Sequence, residues 1–172
     1  MTAKITLVTG GARSGKSRYG ESLIAALPPP WIYIATAEAG DAEMAARIAE
    51  HQKRRPIGWT IIEAPHELAA VFSRIDAAAP VLVDCLTFWL SNCLLADADL
   101  EKEAEQLAGM LARHAGPVVL VTNEVGSGIV PDNALARRFR DAQGRLNQRM
   151  AALADRVVLV VAGMPLVVKG NQ

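Results

Sequence analysis

A glycine-rich segment near the start of the chain constrains the fold more than any other feature. The residues Gly10-Gly11-Ala12-Arg13-Ser14-Gly15-Lys16-Ser17 fit the pattern G-x-x-x-x-G-K-[ST]. A β-branched apolar run at 5–8 precedes this segment, and a helical pattern at 17–26 follows it. Strand, glycine loop and helix start are the three parts that a P-loop requires, which an ordinary glycine turn does not explain. The segment therefore predicts a site for the phosphates of a nucleoside triphosphate.

The residue types in this loop suit phosphate chemistry. Glycines allow backbone N–H groups to turn toward phosphate oxygens, and the N-terminus of the following helix adds partial positive charge. We expect Lys16 to reach the terminal phosphates and the Ser17 hydroxyl to bind Mg²⁺.

Apolar runs alternate with helical patterns along the rest of the chain. Predicted strands cover 5–9, 31–35, 81–84, 118–122 and 157–161, and a shorter one covers 60–62. Predicted helices cover 17–26, 42–54, 65–78, 99–114 and 133–154. The strand runs do not alternate apolar with polar residues, which is typical of a parallel sheet buried on both faces. Without repeats or a linker, the pattern predicts one domain over 1–172, a three-layer α/β P-loop NTPase fold with a mostly parallel central sheet.

Two carboxylates follow predicted strands. Asp84 ends the run Val81-Leu82-Val83-Asp84, and Glu124 follows the strand at 118–122. Strands often end in Asp because it forms turns, but with a P-loop upstream we favour Asp84 as the carboxylate on the Mg²⁺ side of the site. The chain has no Asn-Lys-x-Asp motif for guanine, so an ordinary GTPase switch protein is excluded.

Composition restricts the partners and the compartment. Of the 172 residues, 18 are basic and 18 acidic, so no net charge attracts nucleic acid or an anionic membrane. The longest nearly continuous apolar stretch, 157–168, is shorter than the ~20 residues of a membrane-spanning helix, and no signal-peptide pattern opens the chain. Cys85 and Cys93 lack metal-type spacing, which favours reduced thiols in a cytoplasmic protein.

His51 has two open interpretations on residue pattern alone. It lies on a predicted helix that a proline, Pro56, terminates, and it shares a helix face with Met44 and Ile48. It is either a histidine at the edge of the core, or a neutral imidazole that attacks phosphorus beside Arg54 and Arg55. His66 and His114 lie near predicted helix ends and are interpreted as structural.

Several segments together resemble one family. They are the loop at 9–17, the run Tyr33-Ile34-Ala35-Thr36-Ala37, the helix before Pro56, the segment Asn123-Glu124-Val125-Gly126-Ser127-Gly128-Ile129-Val130-Pro131, and the region 135–148. The chain resembles the bifunctional adenosylcobinamide kinase / adenosylcobinamide-phosphate guanylyltransferase of cobalamin biosynthesis over nearly its whole length. The segment from Asn123 to Pro131 is far more specific to this family than the P-loop.

The resemblance implies two reactions and a site for them. A nucleoside triphosphate, ATP or GTP, phosphorylates the aminopropanol hydroxyl of adenosylcobinamide. GTP then donates GMP to that phosphate through a guanylyl-histidine, which gives adenosylcobinamide-GDP and pyrophosphate. The family's nucleophile matches His51, its triphosphate site matches the P-loop with Lys16, and its metal-side carboxylate matches Asp84. The family's guanine-nucleotide contacts fall on Ala35, Thr36, Ala37, Gln52, Lys53, Arg54, Arg55 and Glu63. The resemblance also implies a RecA-like fold, Mg²⁺ as cofactor and a homotrimer with sites between subunits.

Two other functions stay open at this point. The first is a P-loop kinase for a small molecule in which His51 is only structural, and which never carries protein-bound GMP. The second is a nucleotide-gated protein that binds a corrinoid without turnover.

Overall fold

The computed structural model describes residues 3–38 and 58–170. Within these ranges the strands are β1 Ile5–Thr9, β2 Trp31–Ala35, β3 Trp59–Glu63, β4 Val81–Asp84, β5 Val118–Val121, β6 Arg156–Val161 and β7 Met164–Lys169. The helices are α1 Lys16–Ala25, α2 Leu68–Phe72, α3 Leu86–Leu95, α4 Leu100–Arg113 and α5 Ala134–Leu153.

The strands form one sheet in the order β3-β2-β4-β5-β1-β6-β7. Every neighbouring pair is parallel except β6 and β7, which are antiparallel. The carboxyl ends of β1 to β6 therefore meet at one edge of the sheet. In open parallel sheets, ligands bind outside this edge.

Both faces of the sheet are buried, which explains the continuous apolar runs. Alternate strand residues such as Leu7, Val83 and Leu120 pack against α2 to α5. The intervening residues, including Val8 and Leu82, pack with Ile24 of α1 on the other face. The result is three layers, helix, sheet and helix, and the predicted α/β class with a mostly parallel sheet is confirmed.

Most predicted elements are present, and three regions differ. The helix predicted at 65–78 is wrong in length, because only Leu68–Phe72 is helical and turns follow it. Helix α3 was not predicted, because it is apolar on nearly every side and shows no period. Strand β7 was also missed. A two-residue turn, in which Ala162 and Gly163 both have positive φ, divides the apolar stretch at 157–168 into a hairpin. The helix predicted at 42–54 lies outside the described residues.

The sequence predicts no membrane-spanning helix. In the described part of the chain, no helix is both long and apolar enough to cross a bilayer.

Candidate active site

The P-loop has the backbone conformation that its glycines require. It connects the end of β1 to α1, and Gly15 at the helix N-cap has φ 95°. A Cβ on Gly10 would lie 2.5 Å from the carbonyl oxygen of Val160 and 2.6 Å from the Ser14 hydroxyl. Any other residue at Gly10 would push the loop away from the sheet, and at Gly15 it would strain the backbone.

Two polar side chains are buried inside this loop. Lys16 is 9% exposed, and its Nζ donates to the carbonyl oxygen of Gly11 at 3.1 Å. The hydroxyl of Ser14 is buried without a hydrogen-bond partner in the described residues. A buried hydroxyl without a partner and a buried ammonium group in one loop form an arrangement that an anion can complete.

The β6–β7 hairpin supports the P-loop from the side. The N–H of Gly163 donates to the carbonyl oxygen of Ser14 at 2.8 Å. A Cβ on Gly15 would lie only 3.3 Å from Cα of Gly163. The hairpin turn and the P-loop are thus in close backbone contact.

Asp84 lies at the end of β4, opposite Ala35 of β2 in the sheet register. Ser17 donates from Oγ to Asp84 Oδ1 at 3.3 Å, which joins the P-loop to the second predicted element. Tyr33 donates from its hydroxyl to Asp84 Oδ2 at 2.9 Å. Both carboxylate oxygens are therefore oriented by the protein, and the role of the buried Tyr33 was not foreseen from the sequence.

Thr36 is fully buried and bonds to the chain that follows β4. Its Oγ1 donates to the carbonyl oxygen of Cys85 at 2.6 Å and accepts from the N–H of Cys85 at 2.8 Å. Asn92 donates from Nδ2 to the carbonyl oxygens of Thr36 and Pro65, which ties the ends of β2 and β3 together. The hydroxyl of Thr36 is thus used inside the protein.

The remaining residues predicted to contact nucleotide follow the same edge of the sheet. Ala35 is paired in register with Glu63 on one side and with Asp84 on the other. Glu63 is exposed and helps line a cavity of about 480 Å³ together with His66 and Arg74. The catalytic and binding predictions at His51, Gln52, Lys53, Arg54 and Arg55 lie outside the described residues.

A buried polar cluster lies beneath the end of β5. Gln143 of α5 is fully buried and donates from Nε2 to Thr122 Oγ1 at 3.0 Å and to Asn147 Oδ1 at 2.9 Å. Thr122 also donates to Asn147 Oδ1 at 2.8 Å, and Asn147 donates to the carbonyl oxygen of Asn123 at 3.0 Å. This cluster was not predicted, although Gln143 and Asn147, two amides four residues apart on one face of α5, were a usable signal.

Glu124 is fixed by its own loop. Its N–H donates to the carbonyl oxygen of Gly10 at 3.1 Å, and its carboxylate accepts from the N–H of Gly126 at 2.6 Å. A side-chain hydrogen bond from Ser127, and then the backbone bonds, lower the pKa of the Glu124 carboxyl below its usual range. Glu124 therefore stays ionised and braces the loop.

The thiol beside Asp84 is chemically inert. Burial, reinforced by the adjacent Asp84 carboxylate, raises the pKa of Cys85 to about 12. A thiol with this pKa is protonated at neutral pH and is a poor nucleophile. The two histidines interpreted as structural differ: His114 is buried against Phe72 and bonds to the carbonyl oxygen of Ala79, whereas His66 is exposed.

The architecture has counterparts among solved structures. A KaiC-like protein from Pyrococcus horikoshii aligns with a TM-score of 0.51 over 91% of this chain and 71% of that chain, at 14% sequence identity. At this identity the likeness concerns the fold alone. It agrees with the P-loop NTPase fold of RecA type that the resemblance implied.

Sequence relatives identify the family. The bifunctional adenosylcobalamin biosynthesis protein CobP of Pseudomonas aeruginosa is 48% identical over 168 residues, which cover 96% of this chain and 97% of that protein. The corresponding CobU protein of Salmonella typhimurium is 44% identical and covers 95% of this chain and 98% of its own length. A family model described as cobinamide kinase / cobinamide phosphate guanyltransferase matches residues 6–168. The chain belongs to this family.

Proposed function

We propose that this protein phosphorylates adenosylcobinamide with ATP or GTP and then transfers GMP from GTP to the phosphate it has made. The observation that carries the proposal is the family match over residues 6–168. The P-loop, joined to Asp84 by the Ser17 hydrogen bond, supplies one phosphate site on which both reactions can start.

In the kinase step the acceptor hydroxyl attacks the γ-phosphorus, and the nucleoside diphosphate leaves with the electrons of the broken P–O bond. The loop residues bind the triphosphate through their backbone, and Lys16 offsets the charge that develops on the transferred group. Lys16 is already held inside the loop by its bond to Gly11, so little reorganisation is needed.

Ser17 of α1 and Asp84 at the end of β4 together fit a magnesium ion. The Ser17 hydroxyl and the Asp84 carboxylate are oxygen donors, the type that Mg²⁺ prefers, and they lie 3.3 Å apart. A magnesium ion held there with the triphosphate would supply positive charge to the phosphate oxygens. Tyr33 keeps the carboxylate in place for this role.

In the transfer step we assign the nucleophile to His51. A neutral imidazole nitrogen attacks the α-phosphorus of GTP and pyrophosphate leaves; an oxygen of adenosylcobinamide phosphate then attacks the same phosphorus and releases the imidazole. The neutral nucleophile avoids repulsion between two anions in the first half, and we assign Lys16, Arg54 and Arg55 to offset that repulsion in the second.

Guanine-nucleotide contacts are assigned to Ala35, Thr36, Ala37, Gln52 and Glu63. Support comes from the register that sets Ala35 between Glu63 and Asp84 along one edge of the sheet. Because its hydroxyl, N–H and carbonyl oxygen are all bonded within the protein, we assign Thr36 to this site as the residue that holds the ends of β2 and β4 beside the nucleotide.

We also propose that the protein assembles as a homotrimer and works in the cytoplasm. The edge hairpin offers a surface for a second copy, since Val161, Met164, Leu166 and Val168 are each more than half exposed. Light scattering at micromolar concentration should give three chains; an active monomer would contradict the assembly. The free thiols and the need for nucleoside triphosphates support the compartment.

The deciding experiment uses GTP labelled at the α-phosphorus. Purified protein with Mg²⁺ should acquire label that is lost in acid and survives alkali, as a phosphoramidate does. The His51→Ala variant should acquire none yet keep substantial phosphorylation of adenosylcobinamide, while a control at an exposed residue of α4, Lys102→Ala, should behave as the native protein. Labelling should decline as the pH falls below ~6.5, where imidazole becomes protonated.

Other outcomes point to the two alternative functions. Kinase turnover without protein-bound GMP would indicate a simple kinase, and nucleotide-dependent corrinoid binding without turnover would indicate a binding protein. Label that persists in His51→Ala, or maps to another residue, would contradict the guanylyl-histidine mechanism.

A further inference from the structure

The loop at 125–131 exposes apolar residues, and it follows Glu124, which is hydrogen-bonded to the P-loop. Ile129 is 97% exposed and Val130 is 59% exposed. Leu135 at the start of α5 is also exposed. This loop belongs to the most family-specific segment of the sequence, yet the phosphate chemistry described above uses none of its side chains.

The loop is anchored at both ends. At the start, the N–H of Glu124 donates to Gly10 of the P-loop, and the Glu124 carboxylate accepts from the N–H groups of Gly126 and Ser127. At the far end, Arg137 donates from Nη1 to the carbonyl oxygens of Pro131 and Asp132 at 2.9 and 2.7 Å. The two ends of the loop are therefore fixed, with the apolar tip between them.

The base of the loop is also fixed from below. The N–H of Asn123 donates to Thr87 Oγ1 at 2.8 Å, and its carbonyl oxygen accepts from Asn147 of the buried cluster. A loop anchored by this many bonds is pre-organised, so it can contact a ligand without a large ordering cost.

The chemistry of the substrates indicates which of them the tip of the loop contacts. Triphosphates and pyrophosphate are highly charged and gain nothing from contact with isoleucine and valine side chains. The cobinamide acceptor is a corrin macrocycle that carries methyl groups among its amide side chains, so it offers apolar surface that the phosphates lack. Its hydroxyl or phosphate must reach the phosphates held by the P-loop. The loop starts beside that site, because Glu124, the residue before it, is hydrogen-bonded to Gly10 of the P-loop.

We propose that Ile129 and Val130 contact the corrin ring of the acceptor in both reactions. This inference rests on the proposed function and adds the surface that recognises the acceptor. Glu124 and Arg137 are positioning residues, because they act by holding the loop.

The test is the double variant Ile129→Ala/Val130→Ala. The KM for adenosylcobinamide in the kinase step should rise about tenfold, because two branched side chains lose apolar contact. The concentration of adenosylcobinamide phosphate needed to discharge the GMP-enzyme should rise similarly. The KM for nucleotide and the labelling by GTP alone should not change, since neither involves the acceptor. The matched control is Leu95→Ala, which removes an apolar side chain that is 71% exposed at the C-terminal end of α3.

Three outcomes overturn the inference. A KM for the acceptor that matches the native value, with normal GMP labelling, removes the loop from acceptor binding and leaves the proposed function intact. A rise in the nucleotide KM would assign the loop to the nucleotide instead. A smaller assembly in light scattering, with the native KM restored at higher protein concentration, would assign the tip to a contact between copies. Absence of GMP labelling in the native protein contradicts the proposed function itself.

Discussion

The two sides of the candidate site differ in how many of their side chains already have partners within the protein. On the phosphate side, Lys16 is buried and bonded within its loop, and both oxygens of Asp84 accept hydrogen bonds. At the tip of the 125–131 loop, Ile129 is almost fully exposed. Both regions begin at neighbouring strand ends, and the Glu124–Gly10 bond connects them.

This difference agrees with the two proposed roles, stabilisation of charge on the phosphate side and recognition of the acceptor at the loop tip. Groups that stabilise developing charge work best when they are fixed before the substrate arrives, because reorganisation then costs little. A surface for a large, partly apolar acceptor must be open until the acceptor binds. Variants on the two sides should therefore have different kinetic signatures, and the following predictions test that division from the largest effect to the smallest.

Thiol reactivity should report the contrast directly. In an Ile129→Cys variant at pH 8, the new thiol should react with a maleimide at least about 10²-fold faster than the native thiols. The pKa values of Cys85 and Cys93 are raised to about 12 and about 11, so both stay protonated. Mass spectrometry of the labelled peptides measures this. The acceptor should protect position 129 and ATP alone should not; rapid labelling of Cys85 would show that the phosphate side is open.

Removal of Lys16 should impair both reactions. Lys16→Ala should lower kinase turnover and GMP labelling on the order of 10²-fold or more, because charge on the phosphates loses its partner in the transition state. Steady-state assays and circular dichroism measure activity and folding. The exposed Lys102 provides the control Lys102→Ala. A folded Lys16→Ala protein with nearly native turnover would exclude the P-loop from the mechanism.

The buried cluster below β5 should affect stability more than chemistry. Gln143→Ala removes donors from Thr122 and Asn147 and should lower the free energy of unfolding by about 2 kcal/mol, or about 30-fold in the unfolding equilibrium. Urea denaturation measures the loss, with the exposed Gln148→Ala as control. Unchanged stability together with reduced activity would contradict this prediction, because the cluster would then act on the reaction and not on folding.

Loss of one hydrogen bond to Asp84 should give the smallest effect. Tyr33→Phe should raise the Mg²⁺ concentration for half-maximal kinase activity about fivefold, because the carboxylate becomes less well oriented. Turnover at saturating Mg²⁺ should stay close to native. Asp84→Asn should change the same quantity further in the same direction; identical Mg²⁺ titrations for all three proteins would remove Asp84 from the metal site.

The sequence predicted the parts of this molecule that depend on local pattern. The P-loop, the parallel strands and the position of Asp84 follow from short motifs and continuous apolar runs. The bond between Tyr33 and Asp84 joins residues 51 positions apart, and Gln143 reaches Thr122 across 21 positions. Such contacts depend on strand order and register, which local pattern does not specify. Helix α3 and strand β7 were missed because an apolar run without a clear period suits either structure.

The contact between the hairpin turn and the P-loop has a practical consequence for protein engineering. Gly163 bonds to Ser14, and Lys169 donates to the carbonyl oxygens of Ala151 and Ala152 at the end of α5. A chain cut between β6 and β7 would lose the support of its phosphate loop, although every residue of the nucleotide motif would still be present. A fusion partner attached after Gly170 would leave that support intact.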